Sequence, residues 1–464
     1  GVGTAFAGIG AEQQGQLSPP QPESRAFLGQ AVAVQGDTAV VGSPGRDVDG
    51  NTRAGSVFVY TYDGSTWTRQ QELTSPNPER DGFFGRSVAI DGDTLLLGQS
   101  SIGGASSVHV FTRSGGTWSR QQILTIDEPD VSPEPAYGLE VALEGDTAFL
   151  GAPLQRGDNS IAGFVYVFTR SGGTWSQAQR LSASDASAEA QFGDSISLDG
   201  DLAVIGAPAL DSSVNGAGAV YTFQKSGGTW SQQQKLTSPD PKEYAHFGSD
   251  VSLDGSMALV GARSPSAFPP ARPGAAYLFE QSGGTWNLTQ QLSACDGSED
   301  DQFGRSVSLR QGLVLVGASG AEVRPPMARA GDDGAVYAYT PQGGSWVHAD
   351  KFFNGSANNF GTTLARDGER VVVGDPDFIA RPEDGEVITQ AGQAFVFSVD
   401  PSAAGGGDTV CEGDPSGDTG VGQDVGPVPN TPGYGSGCAT SGQTPGAPFA
   451  LLVLAGLGMI ARRE

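Results

Sequence analysis

Between Phe192 and Thr237 the chain changes its polar rhythm four times. Ser195-Ile196-Ser197-Leu198 alternates polar and apolar, as a half-buried strand does. Asp199-Gly200 interrupts it, and Leu202-Ala203-Val204-Ile205 follows as a short apolar run. Two strand-like runs around Asp-Gly predict a hairpin with a type I′ turn, which needs positive φ at both central residues. The second half reads Ala219-Val220-Tyr221-Thr222-Phe223, then Ser226-Gly227-Gly228-Thr229, then Trp230 and a Gln-rich run ending in Leu236. This is a second hairpin, and the unit is four antiparallel strands.

The same unit is written seven times. Its opening pair falls at Leu28-Gly29, Phe84-Gly85, Tyr137-Gly138, Phe192-Gly193, Phe247-Gly248, Phe303-Gly304 and Phe360-Gly361. Successive glycines are 56, 53, 55, 55, 56 and 57 residues apart. Seven in-phase four-stranded units with no helical periodicity predict an all-β, seven-bladed propeller over residues 11–400. The first turn recurs as Gln35-Gly36, Asp91-Gly92, Glu144-Gly145, Asp254-Gly255, Gln311-Gly312 and Asp367-Gly368. Its glycine is constant and the neighbour is not, which reads as a backbone requirement rather than a chemical one. Six tryptophans (Trp67, Trp118, Trp175, Trp230, Trp286, Trp346) all open the fourth strand, so each is expected to pack over its own blade or against the next.

The seventh unit ends at Val399 without a fourth strand. Gln13-Gln14-Gly15-Gln16-Leu17-Ser18-Pro19 has the pattern of Gln232 to Pro239 in the fourth unit. Residues of about 11 to 18 are therefore expected to be the outer strand of the last blade, which removes an unpaired edge. Connections between strands two and three, and from blade to blade, are long and variable and fall on one face: 44–54, 153–162, 208–216, 263–273, 319–334 and 376–392, with 76–83, 127–136 and 293–302 between blades. A ligand is expected on that face.

Composition narrows the function. The chain has 464 residues, 70 of them glycine, and a formal net charge of −26. An acidic surface argues against a nucleic-acid partner, whose phosphates need Lys and Arg. Cys295, Cys411 and Cys438 show no metal-type spacing, and the three histidines (His109, His246, His348) lie in different repeats. A zinc site or a His-based triad is not expected. Residues 1–10, with Ala5-Phe6-Ala7, read either as the remnant of an export signal or as a disordered tip. Residues 401–446, rich in Gly, Pro, Asp, Ser and Thr, are expected to be a flexible stalk. Residues 447–464 form an apolar run closed by Arg462-Arg463, expected to be a short hydrophobic helix that meets the membrane.

The repeat resembles the FG-GAP family, the units of the integrin α-chain propeller. The Phe-Gly openings carry the likeness, with Gly42-Ser43-Pro44, Gly98-Gln99-Ser100, Gly151-Ala152-Pro153, Gly206-Ala207-Pro208, Gly261-Ala262-Arg263, Gly317-Ala318-Ser319 and Gly374-Asp375-Pro376. The resemblance implies a propeller for extracellular recognition or adhesion. The family's calcium loop, D-x-D-G-D-G-x-x-D between the FG and GAP strands, is here a two-residue turn such as that at Asp91-Gly92-Asp93, too short for the six to eight oxygens calcium needs. Another acidic loop, Asp47, Asp49 and Asn51, offers oxygens at positions one, three and five; it reads as a calcium site or as an Asx-rich turn. No other cofactor is expected.

The tail resembles a MYXO-CTERM sorting signal: Gly437-Cys438, a spacer, an apolar run and a terminal Arg pair. This implies export, processing near Cys438 by a sorting protease with Cys438 the modified residue, and display at the cell surface or outer envelope. A plain C-terminal membrane anchor is the alternative. Cys295 and Cys411 either pair or stay free. Arg156-Gly157-Asp158 reads as a chance tripeptide.

The function expected is a non-enzymatic surface propeller that binds an extracellular protein or glycan. The alternatives are a propeller-fold carbohydrate-active enzyme (hydrolase or lyase) and a purely structural envelope protein. First-strand polar residues are mostly Ser, Gln and Asp, so no repeat stands out chemically, and Asp300-Asp301 and Asp332-Asp333 read as solvated loop charges.

Overall fold

Seven four-stranded units of one pattern bury one face of each sheet against the next, and the ring that results has no exposed sheet edge at its seams. A computed structural model describes residues 9–101, 106–126, 137–155, 162–185, 190–210, 214–264, 273–321, 333–354, 359–380 and 387–400. They contain 28 strands in seven four-stranded antiparallel sheets and no helix. Blade four is typical: Ile196–Asp199, Leu202–Ala207, Ala219–Ser226 and Thr229–Leu236 run in order from the axis outward. Blade seven takes Thr363–Asp367, Arg370–Asp375 and Gln393–Ser398 from one end of the chain and Glu12–Leu17 from the other. Gln16 pairs with Phe395 and Leu17 with Ala394, as the pattern of residues 11 to 18 predicts.

The FG and GAP glycines are constant because they touch. An added Cβ on Gly206 would overlap the carbonyl oxygen of Gly248 in the next blade, and Gly42 meets Gly85, Gly151 meets Gly193 and Gly317 meets Gly361 in the same way. The ring closes by the same contact, Gly374 against Gly29. Phe84, Phe192, Phe247, Phe303 and Phe360, which open blades two and four to seven, are fully buried between blades.

The first turn differs from its expected form. Its central residues are the glycine and the residue after it: Asp199 pairs with Leu202 across Gly200-Asp201. Only the glycine has positive φ (60° at Gly200), so the turn is type II′. Blade six alone, with Gln311 at 46° and Gly312 at 71°, is type I′. The residue before the glycine has a chemical job after all. Its side chain accepts a hydrogen bond from the first N–H of the turn in the next blade: Asp367 from Gly36, Gln35 from Gly92, Asp91 from Gly145, Glu144 from Gly200, Asp199 from Gly255 and Asp254 from Gln311, at 2.5 to 3.1 Å. Between blades six and seven Arg310 holds the acceptor's place, and side chain and backbone trade roles: the Arg366 guanidinium donates to the Arg310 carbonyl.

A second belt joins the outer strands. The Gln71 amide donates to the Trp118 carbonyl and accepts from the Trp118 N–H, copying a backbone ladder across the seam. Gln122, Gln179, Gln234 and Gln290 do the same to Trp175, Trp230, Trp286 and Trp346, all at 2.6 to 2.9 Å. The tryptophans therefore lie over their own blades, where Arg113, Arg170 and Lys225 cover Trp118, Trp175 and Trp230, and against the preceding blade, not the next. Trp230 lies edge-on to Phe149 of blade three, with centroids 5.0 Å apart.

An acid breaks the repeat inside the core. Asp375 stands where four other blades carry Ala152, Ala207, Ala262 and Ala318. It is fully buried, its Oδ2 meets Asn354 Nδ2 at 3.4 Å, and its Oδ1 has no partner among the described residues. Burial pushes its carboxyl up to about 8, a shift Asn354 opposes and Asp377 reinforces. The folded protein thus keeps a proton that the unfolded chain loses near pH 4, so its stability falls as pH rises from there to about 8. Asp375→Ala is expected to raise the urea midpoint, with a gain on the order of a few kcal/mol above pH 8 that shrinks towards pH 5. Denaturation of both proteins at several pH values checks this; a loss of stability, or a pH-independent difference, contradicts it.

Candidate functional site: the charged mouth of the central channel

The first strands line the axis, and the residues after each opening Phe-Gly point into it near the long-loop face. There they enclose a cavity of about 220 Å3 to which every blade contributes. The third position of the repeat, the residue after Phe-Gly, reads Gln30, Arg86, Leu139, Asp194, Ser249, Arg305 and Thr362 around the ring; the fourth adds Glu140 and Asp250. Arg86, Glu140, Asp194, Asp250 and Arg305 all line the cavity. The chemistry is asymmetric: acids on blades three to five, guanidiniums on two and six, neutral groups on seven and one. No such asymmetry was expected from the first-strand composition. Each blade supplies only one or two of these groups, and ring closure alone gathers positions about 55 residues apart.

Arg263, the last residue of Gly261-Ala262-Arg263, stands close enough to act on Asp194, His246 and Arg305. Asp194 is the electrostatic focus. Enclosure raises its carboxyl, and Arg263, Arg86 and Arg305 each pull it back. Enclosure also raises Glu140 well above the usual carboxylate range, and Asp250 and Asp194 push it further. Asp250 rises to about 7 through burial, although its oxygens accept the Val307 N–H at 2.7 Å and the Val251 N–H at 2.9 Å. The same desolvation lowers Arg305 to about 10 and His246 to about 4. Arg86 and Asp194 stay accessible from the channel although protein surrounds them. Ser87, Ser195 and Ser306 also reach the axis, but each donates to an FG glycine carbonyl of the next blade at 2.8 to 2.9 Å and is structural.

The other site residues fall elsewhere. Asp47, Asp49 and Asn51 lie in the loop after strand two of blade one. Val48 and Asn51 exchange backbone hydrogen bonds at 3.1 and 2.9 Å, with Asp49 and Gly50 at positive φ between them. Asp47 Oδ1 accepts the Arg53 N–H at 2.8 Å. Among the described residues no group of three or more His, Cys, Asp or Glu side chains is placed to hold a metal. If Asp47, Asp49 and Asn51 take calcium, calorimetry gives heat saturating at one ion per chain that Asp49→Ala abolishes; no heat on titration ends that reading. Cys438, the 401–446 stalk, the 447–464 segment and Arg156-Gly157-Asp158 lie outside the described residues. Asp301 and Asp333 are buried rather than solvated, Asp301 accepting the Ser298 N–H at 2.8 Å; Asp332 lies outside the described residues. Cys295 is disulfide-bonded, and its partner lies outside the described residues.

A family model described as FG-GAP repeat matches residues 11–60, 67–111, 175–223, 230–279 and 286–339. No curated protein matches the chain.

Proposed function

Because the chain belongs to the FG-GAP repeat family, we propose that it is an extracellular binding propeller that takes a protein or glycan ligand on its long-loop face, at the channel mouth. The observation that carries this is the ring of unlike charged side chains, Arg86, Glu140, Asp194, Asp250 and Arg305, gathered where the variable loops converge. The blade does not need them, since other blades build the same strand from Gln30, Ser249 or Thr362. The Cys295 disulfide supports an oxidising compartment and hence export. Display through the tail, with processing at Cys438 by a sorting protease or plain anchoring of the 447–464 segment in the membrane, belongs to the same proposal. Mass spectrometry of the mature protein tests it: a chain that still ends beyond Met459 rules processing out. A glycan and extracellular-protein array probed with the whole chain tests the binding role. A ligand whose binding is lost on Arg86→Gln and Arg305→Gln supports it; a ligand held on the tight-turn face overturns it.

A second reading, a carbohydrate-active enzyme, draws on the same cluster. Carboxyls that enclosure shifts towards their protonated forms, Glu140 and Asp250, beside Asp194, whose rise three guanidiniums oppose, are the pairing that general acid–base chemistry on a glycosidic bond uses. Release of reducing ends from acidic polysaccharides, abolished by Glu140→Gln, would decide for it.

A further inference from the structure

We propose that the channel mouth recognises the carboxylate of an acidic sugar, a uronate unit of a polysaccharide, with Arg86 and Arg305 as its direct ligands and Arg263 beside them. The inference rests on the binding role proposed above and names the ligand's chemistry.

Three observations carry it. The first is unused donors. Arg86 and Arg305 line the cavity, and neither they nor Arg263 have a hydrogen-bonded or ion-paired carboxylate among the described residues; Asp194 acts on all three only at longer range. Arg263 Nε is buried without a partner among the described residues. This contrasts with the arginines of the outer surface. Arg113 binds Asp93 at 2.7 Å, Arg170 binds Asp146 at 2.6 Å and Arg370 binds Asp37 at 2.7 Å. A guanidinium fork left open in an enclosed site is matched in shape and charge by a carboxylate, which accepts two parallel N–H bonds.

The second is the sign of the local charge. The protein as a whole carries −26, so its surface repels anions. In the cavity the balance reverses. Three guanidiniums stand there, and enclosure shifts the carboxyls of Glu140, Asp194 and Asp250 towards their neutral forms, although two backbone N–H groups oppose the shift at Asp250. Asp194 faces all three guanidiniums, and Asp250 and Asp377 act on Arg305 as well. An enclosed positive site inside an acidic molecule selects an anion that fits the cavity over one merely drawn to the surface.

The third is the rest of the lining. Gln30 presents an amide, and the Ser249 and Thr362 hydroxyls, which donate to the Gly304 and Asn359 carbonyls, offer their oxygens as acceptors beside the carboxyls of Asp194 and Glu140. Donors and acceptors packed around a carboxylate-binding fork are what the hydroxyls next to the carboxylate of a pyranose uronate require. An acidic amino-acid side chain has methylenes there, and the lining at these positions offers it little. The cavity volume of about 220 Å3 admits one sugar unit, and the mouth opens on the loop face, where the polymer continues.

Calorimetry on the whole chain tests this with galacturonate, glucuronate and a short oligogalacturonate, against galactose, glucose and an oligoglutamate. Uronates are expected to bind, with affinity falling as salt rises. Arg86→Gln with Arg305→Gln is expected to weaken binding at least tenfold without moving the thermal melt, and Arg86→Lys with Arg305→Lys to restore only part of it. Equal binding of neutral sugars, preference for oligoglutamate, no heat with any uronate at millimolar concentration, or unchanged uronate affinity in the double Gln variant each overturns the proposal. A neutral glycan captured at the mouth would sink the uronate assignment while leaving the binding role standing.

Discussion

Deleting residues 1–18 is expected to destroy the cooperative melt of the propeller or lower its midpoint by tens of degrees. The segment does more than cover an edge. Glu12–Leu17 supplies the whole outer strand of blade seven. Leu17 is buried in a cluster with Leu28 and Val34 of blade one and with Val372 and Val396 of blade seven. Ile9 and Ala11 are fully buried in a second cluster with Leu313, Phe352 and Phe397, which spans blades six and seven. The Asp400 N–H donates to the Ile9 carbonyl at 2.8 Å, and the Tyr60 hydroxyl donates to the Ser18 carbonyl at 2.8 Å. One short segment thus holds both seams of the blade it completes. Those two seams lack the glutamine belt found at the other five. Asp350 occupies the glutamine's position in blade six, and Gly15, packed under the Trp67 ring, occupies it in blade seven. Burying Ile9 and Leu17 contributes about 1.5–3 kcal/mol each, and each ladder bond about 1 kcal/mol. The sum is comparable with the about 5–15 kcal/mol by which whole domains are stable. Thermal melts of the full and shortened chains measure the effect, and a synthetic peptide of residues 9–18 added in trans is expected to restore part of it. A shortened chain that melts like the full one would show that the borrowed strand is not what closes the ring.

What could be read from the chain follows from what repeats and what does not. Strand number, blade number and the borrowed strand were legible because each is written as a pattern: polar-apolar alternation, a spacing near 55, and a Gln-rich stretch at the wrong end of the chain. The turn type was not legible, because Asp-Gly in sequence reads as its centre, whereas the acid sits before it and reaches the next blade. The pairing of Asp199 with the Gly255 N–H, across 56 residues, exists only once blades are neighbours. The tryptophans repeat, but a repeat does not say which neighbour a side chain faces. The channel cluster was the hardest to see for the opposite reason. Arg86, Asp194 and Arg305 are the least repetitive residues of their strands, and a search for what recurs passes over them. Reading the third position of every unit as one column, rather than each unit along its length, would have exposed the asymmetry.

Replacing Gly206 by alanine is expected to cost about 3 kcal/mol or more, against about 1 kcal/mol for the same change at Gly200. The two glycines sit six residues apart in one hairpin and differ in what surrounds them. Gly200 has φ of +60° and nothing within 4 Å of an added Cβ, so alanine there meets only backbone strain. Gly206 has ordinary φ, yet its Cβ would overlap both the Gly248 carbonyl oxygen and the Ser195 Oγ. Neither neighbour can yield cheaply. The Gly248 carbonyl already accepts the Ser195 hydroxyl at 2.9 Å, and Gly248 is itself held at φ of +89° against the third strand of blade four. Relief therefore requires blades four and five to part along their inner strands, which loosens the Phe247 ring from Val204, Val220 and Leu236 of blade four and disturbs the adjacent turn-to-turn bond. Denaturant midpoints of the two variants measure the contrast. If Gly206→Ala were no worse than Gly200→Ala, glycine would recur in the GAP strand for some reason other than contact between neighbouring backbones. The same substitution at Gly374 should be the most damaging of the set, because the seam it opens, against Gly29, is one of the two without a glutamine belt.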